Sequence, residues 1–172
     1  MADLTDAKRR IIERLKRVES ATAPALAASL FPDRHAELTV ELIASIRDAL
    51  GEKGLAKVIG TRARAQEAGY RDLLPDTTGT PVAERVARLA EVRTAEGYLA
   101  EVVTEPDGAV LLVEHHCPIA DAARTCRGLC QSELELFRAV LGDDVVVERT
   151  QHLLAGDLRC AYRVRQRATA PA

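Results

Sequence analysis

The stretch Val113–Cys130, VEHHCPIADAARTCRGLC, decides the interpretation of this chain, because it holds three of the four cysteines. The fourth, Cys160, lies in the segment Leu158–Val164, whose composition predicts a β-strand. The turn Ala155-Gly156-Asp157 precedes it and predicts a hairpin that carries Cys160 back towards the other cysteines. No signal peptide or membrane-length apolar run is recognisable, so we expect a cytoplasmic protein. In that compartment cysteines are metal ligands or redox groups more often than structural disulfides.

Two of the cysteines fall at predicted helix starts. Proline is favoured at the first helical position, so Pro118 places Cys117 where an N-cap would be. Ser132 and Glu135 have the spacing of a capping box, which predicts a second helix beginning just after Cys130. A helix N-terminus lowers the pKa of a nearby thiol, so both cysteines are predicted to be thiolates.

The same spacings also suit ordinary buried thiols, and the sequence supports both interpretations equally. The chain lacks the paired Cys-x2-Cys spacing of strong zinc signatures. Apolar neighbours share a predicted strand face with Cys160 and a predicted helix stripe with Cys130. These neighbours are Leu158, Tyr162 and Val164 for the strand, and Leu134, Phe137 and Leu141 for the helix.

The pieces VEHHCPI, SELELF and VERTQHLLAGDLRCAYRV lie between residues 112 and 164. They resemble the C-terminal sensor domain of SufR-like transcriptional regulators, winged-helix proteins of the DeoR/ArsR type that carry an iron–sulfur cluster and regulate iron–sulfur assembly genes. The resemblance implies that Cys117, Cys130 and Cys160 are cluster ligands. Cys126 lies outside this three-cysteine pattern and is the least certain ligand. The implied cofactor is a 4Fe-4S cluster in preference to 2Fe-2S, with zinc as the alternative.

The N-terminal part resembles the first two helices of a winged-helix domain. A helix predicted over residues 6–18 has a basic face with Lys8, Arg9, Arg10 and Arg14, which would contact DNA phosphates or simply face solvent. The formal net charge of -2 means that any DNA contact depends on such a local patch. Leu30 is followed at once by Phe31-Pro32-Asp33 and the next helical segment, so the recognition helix and wing are missing from this sequence, whether truly absent or omitted.

The sequence predicts an α+β protein, mainly helical, in four parts. Residues 1–32 form a partial winged-helix DNA-binding region, 33–78 linker and dimerisation helices, 79–166 the sensor domain, and 167–172 a disordered tail. In the linker, an apolar stripe predicts core packing or a homodimer. Its members are Leu38, Leu42, Ile43, Ile46 and Leu50. In the sensor domain, the turn Glu105–Gly108 predicts one hairpin and residues 145–164 a second, giving an antiparallel sheet with helices on one face.

The predicted function is an iron–sulfur-sensing regulator, a repressor of iron–sulfur assembly genes that binds operator DNA as a dimer. The alternatives are a zinc- or cluster-binding module without DNA binding, and a metal-free thiol switch with a disulfide such as Cys126–Cys130. His115 and His116 beside Cys117 suggest a nucleophile, but no oxyanion or phosphate-binding loop accompanies them, so no enzyme is predicted. His152 is predicted as a partner of a ligand or as a nonthiolate ligand.

Overall fold

The computed structural model describes residues 34–74 and 79–167. Several predicted features lie outside the described residues: the DNA-contacting residues Lys8, Arg9, Arg10 and Arg14, the Leu30–Phe31 junction, residues 75–78 and the last five residues. The chain divides into two compact units, residues 1–38 and 39–172. All four cysteines belong to the second unit.

The described residues form an α+β fold with one four-stranded antiparallel sheet in the order β1-β2-β4-β3, which confirms the predicted class. Helices precede the sheet and also separate its two hairpins. In chain order the elements are α1 Arg34–Leu73, α2 Val82–Ala95, β1 Ala100–Thr104, β2 Val110–Glu114, α3 Ala120–Thr125, α4 Arg127–Leu141, β3 Val145–Gln151, a 3-10 turn Leu153–Ala155, and β4 Cys160–Gln166.

Both predicted hairpins are present. The first turns at Gly108, whose φ of 83° is a left-handed conformation that favours glycine. The second turns at Gly156, with a φ of 107°. Strand β4 begins at Cys160, so Leu158 precedes the strand and is exposed, contrary to its predicted place on the strand face. The rest of that face is confirmed, because Cys160, Tyr162 and Val164 are buried.

The main core lies between one face of the sheet and the helices α2 and α4. The register places Leu112 opposite Tyr162 and Val110 opposite Val164, so all four side chains point to the same face. Phe137 of α4 packs edge-on against Tyr162, with ring centroids 4.7 Å apart. The two helices bury Val86, Leu89 and Ala90 from α2 and Leu134, Leu136 and Leu141 from α4. The predicted α4 stripe is therefore confirmed.

A smaller apolar cluster joins α1 to α3 and α4. Gly51 interrupts α1 with a φ of 68°, a left-handed conformation that favours glycine, and the helix continues beyond it. Ile43 is buried in this cluster and Ile46 packs against it, whereas Leu42 and Leu50 remain exposed. The predicted apolar stripe is thus divided between core packing and an exposed face. The remaining buried members are Leu55, Ala122, Ala123 and Leu129.

Arg167 is the last residue that the structure describes. Its backbone N–H donates to the carbonyl of Asp144 at 2.7 Å, and its guanidinium Nε donates to the carbonyl of Asp143 at 3.0 Å. Residue 167, predicted to open a disordered tail, is therefore anchored to the loop before β3.

Asp144 is held by the buried Arg85, and this pair predicts a pH-dependent stability. Two hydrogen bonds of 2.7 and 2.8 Å from Arg85 hold the pKa of Asp144 well below its usual 3.8. A carboxyl whose pKa is lower in the folded state stabilises the protein above its unfolded pKa, and this contribution is lost as the pH falls. We therefore expect urea unfolding to show Asp144→Asn less stable than wild type at pH 7, with the difference shrinking as the pH is lowered below about 4.

The matched control is Glu84→Gln, which removes a carboxylate from the exposed pair between Arg88 and Glu84. Such a pair contributes little at any pH. A difference between wild type and Asp144→Asn that stayed constant from pH 7 to pH 2 would contradict the role given to the Arg85 contact.

Candidate metal centre

The fold gathers Cys117, Cys130 and Cys160 at one end of the two central strands. Glu114, the last residue of β2, pairs with Cys160, the first residue of β4. Cys117 follows in the loop after β2, and Cys130 lies in the N-terminal part of α4. The pKa of Cys117 is raised mainly by burial, and in addition by the negative charges that Cys160 and Cys130 would carry as thiolates. Cys160 acts in the same way on Cys130, so the three thiols lie within electrostatic range of one another.

Cys117 lies too far before the start of α3 to be its N-cap residue. Helix α3 begins at Ala120 and has Ile119 at its N-cap position, so the predicted cap is wrong. Cys117 instead opens the turn before the helix, where its carbonyl accepts a hydrogen bond of 3.1 Å from the Ala120 N–H. The backbone N–H of Ile119 bonds to the Cys117 sulfur, so the thiol still receives one of the free amides of the turn.

Cys130 lies inside α4, and the predicted capping box after it is wrong. The helix begins at Arg127, because Cys126 takes the extended N-cap conformation with φ -138° and ψ 99°. The hydroxyl of Ser132 donates to the Leu129 carbonyl at 2.8 Å within the helix. Glu135 accepts a hydrogen bond from Gln131 on the helix surface and has no capping role. Ser132 and Glu135 therefore have the spacing of a capping box although both lie inside a continuous helix.

Burial raises the pKa of all three gathered thiols, contrary to the prediction that Cys117 and Cys130 are thiolates. It raises the pKa of Cys117 to about 12, and it also raises those of Cys130 and Cys160. The amide of Ile119 and the guanidinium of Arg149 offset only part of this effect. The loss of hydration thus raises the pKa of these thiols more than the nearby helix N-terminus lowers it. Because a metal binds the thiolate, binding at this site would release protons and strengthen as the pH rises.

Cys126 shares the smaller apolar cluster with Cys130 but lies before the start of α4. It is the N-cap residue of α4 and packs against the smaller apolar cluster that includes Leu129. A Cβ added at Gly128 would lie 3.7 Å both from the Cys126 sulfur and from Ile59 of α1, which is ordinary van der Waals contact. All four cysteines are free thiols, including the Cys126–Cys130 pair considered for a disulfide.

His152 and Arg149 adjoin Cys130. The Nε2 atom of His152 lies 3.1 Å from the Cys130 sulfur, which places this histidine where a ligand or a ligand's partner would be. Arg149 Nη2 donates to the Cys130 carbonyl at 2.7 Å and to the Tyr162 hydroxyl at 3.4 Å. His115 does not join them, because its Nε2 pairs with Glu101 at 2.7 Å.

The sequence interpretation missed a buried charge network beside the thiols. Arg93 of α2 is 0% exposed and pairs at 2.7 Å with the buried carboxylates of Glu114 and Glu133. Its guanidinium also lies 3.3 Å from the centre of the Tyr98 ring. Burial alone would lower the pKa of Arg93, but the two carboxylates outweigh it and raise that pKa, so the arginine remains charged.

The signal for this network was present in the periodicities. Arg93 falls at helical spacing from the core residues Val86 and Leu89, and Glu114 alternates with the core residues Val110 and Leu112. A charged residue at a position that the pattern assigns to the core needs a partner there, because an unpaired buried charge is very costly. The core position of Arg93 therefore predicts a carboxylate partner, and the core position of Glu114 predicts a cationic partner.

In the described ranges, no group of three or more His, Cys, Asp or Glu side chains is arranged to hold one metal ion. A cluster requires less convergence, because each thiolate binds a different iron atom.

Among the described helices, none has both the length and the apolar character needed to span a membrane. Comparisons with protein-family models, with curated proteins and with solved structures find no match to this chain.

Proposed function

We propose that this chain is an iron–sulfur sensor that regulates transcription, acting as a repressor of iron–sulfur assembly genes and binding operator DNA as a cytoplasmic dimer. The observation that supports it best is the gathering of Cys117, Cys130 and Cys160 around the paired ends of β2 and β4. The DNA-binding and dimeric parts of the proposal rest on the resemblance to SufR-like regulators. The exposed Leu42 and Leu50 of α1 offer an apolar face for the dimer.

Three thiolates are soft ligands of the kind that iron–sulfur clusters and zinc prefer. They would hold three irons of a four-iron cluster, which when bound supplies a redox-active and oxidant-sensitive group. The fourth iron needs another ligand, and His152 beside Cys130 is one candidate and Cys126 the other. With one non-thiolate position the cluster would be lost to oxidants more readily, and this loss would be the signal.

The contacts of α4 suggest how a change at the cysteines would reach the linker helix. Glu133 lies one helical turn beyond Cys130 and accepts a hydrogen bond of 3.2 Å from Gln66 of α1. Arg62 of α1 is 3.7 Å from the same carboxylate. Tyr70 of α1 contacts Arg93, which binds Glu133 from the other side. A shift of α4 on cluster loss would therefore alter contacts that hold the second half of α1.

The direct test is anaerobic purification followed by analysis of iron, acid-labile sulfide and zinc. We expect brown protein with broad absorbance in the blue and with iron and sulfide in equal amounts, because soft thiolates stabilise such clusters. Stoichiometric zinc without iron or sulfide would instead establish the zinc-binding alternative. Metal-free protein that forms a Cys126–Cys130 disulfide on mild oxidation would establish the thiol switch.

A further inference from the structure

A cavity with a volume of about 550 Å³ opens beside Cys130. This size falls within the range of roughly 300–1,000 Å³ found for small-molecule pockets. Its polar lining comes from Arg127, Gln131, Arg149 and His152. Of the three gathered thiols, only Cys130 lines it, together with the neighbouring His152, so the cavity adjoins the proposed metal site on the Cys130 side.

The lining of this cavity is cationic and includes no carboxylate. Among the residues described, neither Arg127 nor Arg149 forms an ion pair. Glu114 interacts with Arg149 only at longer range and is already bound to Arg93. Two guanidinium groups therefore face one space without a protein counter-charge.

Arg149 is held in place but is not fully satisfied. Its Nη2 atom donates to the Cys130 carbonyl and to the Tyr162 hydroxyl, which fixes the guanidinium plane. Its Nε atom is buried and has no hydrogen-bond partner. A buried donor without a partner is costly, so the protein itself does not satisfy all the donors of this guanidinium group.

The N-terminus of α4 also favours an anion in this cavity. Arg127 and Gly128 are the first two residues of this fifteen-residue helix and both line the cavity. The first turn contains no acidic residue that would neutralise the positive end of the helix dipole. Backbone amides at such a position favour anions.

We propose that this cavity binds a small molecule through its oxyanion group, a carboxylate or a phosphate, held by the guanidinium groups of Arg127 and Arg149 next to Cys130. Planar guanidinium groups suit both anions because they donate two parallel hydrogen bonds. The site belongs to the metal-free chain and does not depend on the proposed cluster. Bound beside Cys130, the ligand would shield one of the three thiols and so link the level of a small metabolite to the cysteine site.

Calorimetric titration of the reduced, metal-free chain with citrate and, separately, with inorganic phosphate tests the proposal. At constant ionic strength we expect saturable binding of at least one anion, weakened about tenfold or more by Arg127→Gln or by Arg149→Gln. The control is Arg124→Gln, which removes the same charge from an exposed arginine already paired with Asp121 at 2.5 Å. It should leave the affinity unchanged.

Binding of citrate alone would identify a carboxylate ligand, and binding of phosphate alone a phosphate ligand. No saturable binding of either, or an equal loss in Arg124→Gln, would overturn the proposal. If Arg149→Gln does not fold, the exposed Arg127 decides the matter, because its side chain makes no contact on which the core depends.

Alkylation provides a second, residue-specific measurement. Trypsin cleavage after Arg93, Arg124, Arg127, Arg138, Arg159 and Arg163 places each of the four cysteines in its own peptide. With a neutral alkylating reagent, we expect the bound anion to slow the modification of Cys130 and to leave that of Cys117 unchanged. Equal protection of both, or none, would overturn the placement beside Cys130. Since no metal is present, these results stand apart from the outcome of the iron and sulfide analysis.

Discussion

Serine in place of Cys117, Cys130 or Cys160 is expected to abolish the cluster, whereas Cys126→Ser is expected to retain most of it. Each of the first three thiols would hold its own iron, and a serine hydroxyl is a harder and much less acidic ligand. We expect each to weaken metal retention by more than the roughly 10–100-fold cost of losing an outer hydrogen-bond partner. The measurement is iron and sulfide per chain after anaerobic preparation, together with the blue absorbance.

Cys126→Ser is the matched control, because it makes the same chemical change a few residues away in the apolar cluster of α1, α3 and α4. Its thermal unfolding in the metal-free state should be measured beside that of the other three variants, to separate ligand loss from misfolding. Loss of iron in Cys126→Ser together with full retention in Cys160→Ser would contradict the assignment of the three ligands.

Arg93→Met is expected to be strongly destabilising. It keeps an unbranched side chain but leaves Glu114 buried without its counter-charge and leaves Glu133 with only the more distant Arg62. Breaking a buried ion pair from one side typically costs about 3–5 kcal/mol. Urea unfolding of the metal-free chain at pH 7 should show a loss of free energy of unfolding of this order.

The control is Arg88→Met on the same helix, where the arginine forms an exposed pair with Glu84. Such i,i+4 pairs contribute only about 0.3–0.5 kcal/mol. The triple variant Arg93→Met, Glu114→Gln, Glu133→Gln should recover part of the lost stability, because no unpaired charge then remains in the core. If the triple variant were less stable than Arg93→Met alone, unpaired carboxylates would not be the cause of the loss.

The sheet and helices were predictable because local signals and burial agree in them. The turn at Gly108 requires a left-handed residue, and Tyr162 and Val164 alternate as a half-buried strand does. Gly51 breaks α1 where the apolar spacing allowed a helix end. In each case the sequence signal lies within one short segment and agrees with the fold.

The chemistry at the cysteines was less accessible, because it depends on contacts between distant segments. The pKa of Cys117 follows from burial under the assembled fold, and a helix-end argument from neighbouring residues predicts the opposite direction. Arg149 meets Cys130 only through the return of β3 beside α4, and Arg93 meets Glu133 only when α2 and α4 pack together. Sequence spacing marks Arg93 and Glu114 as core positions, but it does not show that Arg93 will also meet Glu133 or that Arg149 will meet Cys130.

The order of strands in the sheet affects how the protein is made. Strand β4 is synthesised after the other three strands, yet it lies between β2 and β3. Until β4 has been synthesised, β2 has one unpaired edge and Glu114 lacks its pairing partner Cys160. Open strand edges favour pairing with other chains, and sheets closed by distant segments form slowly. The three-thiol site therefore exists only after residue 160 has left the ribosome, so any cofactor would be inserted into the completed sheet and not into the nascent chain.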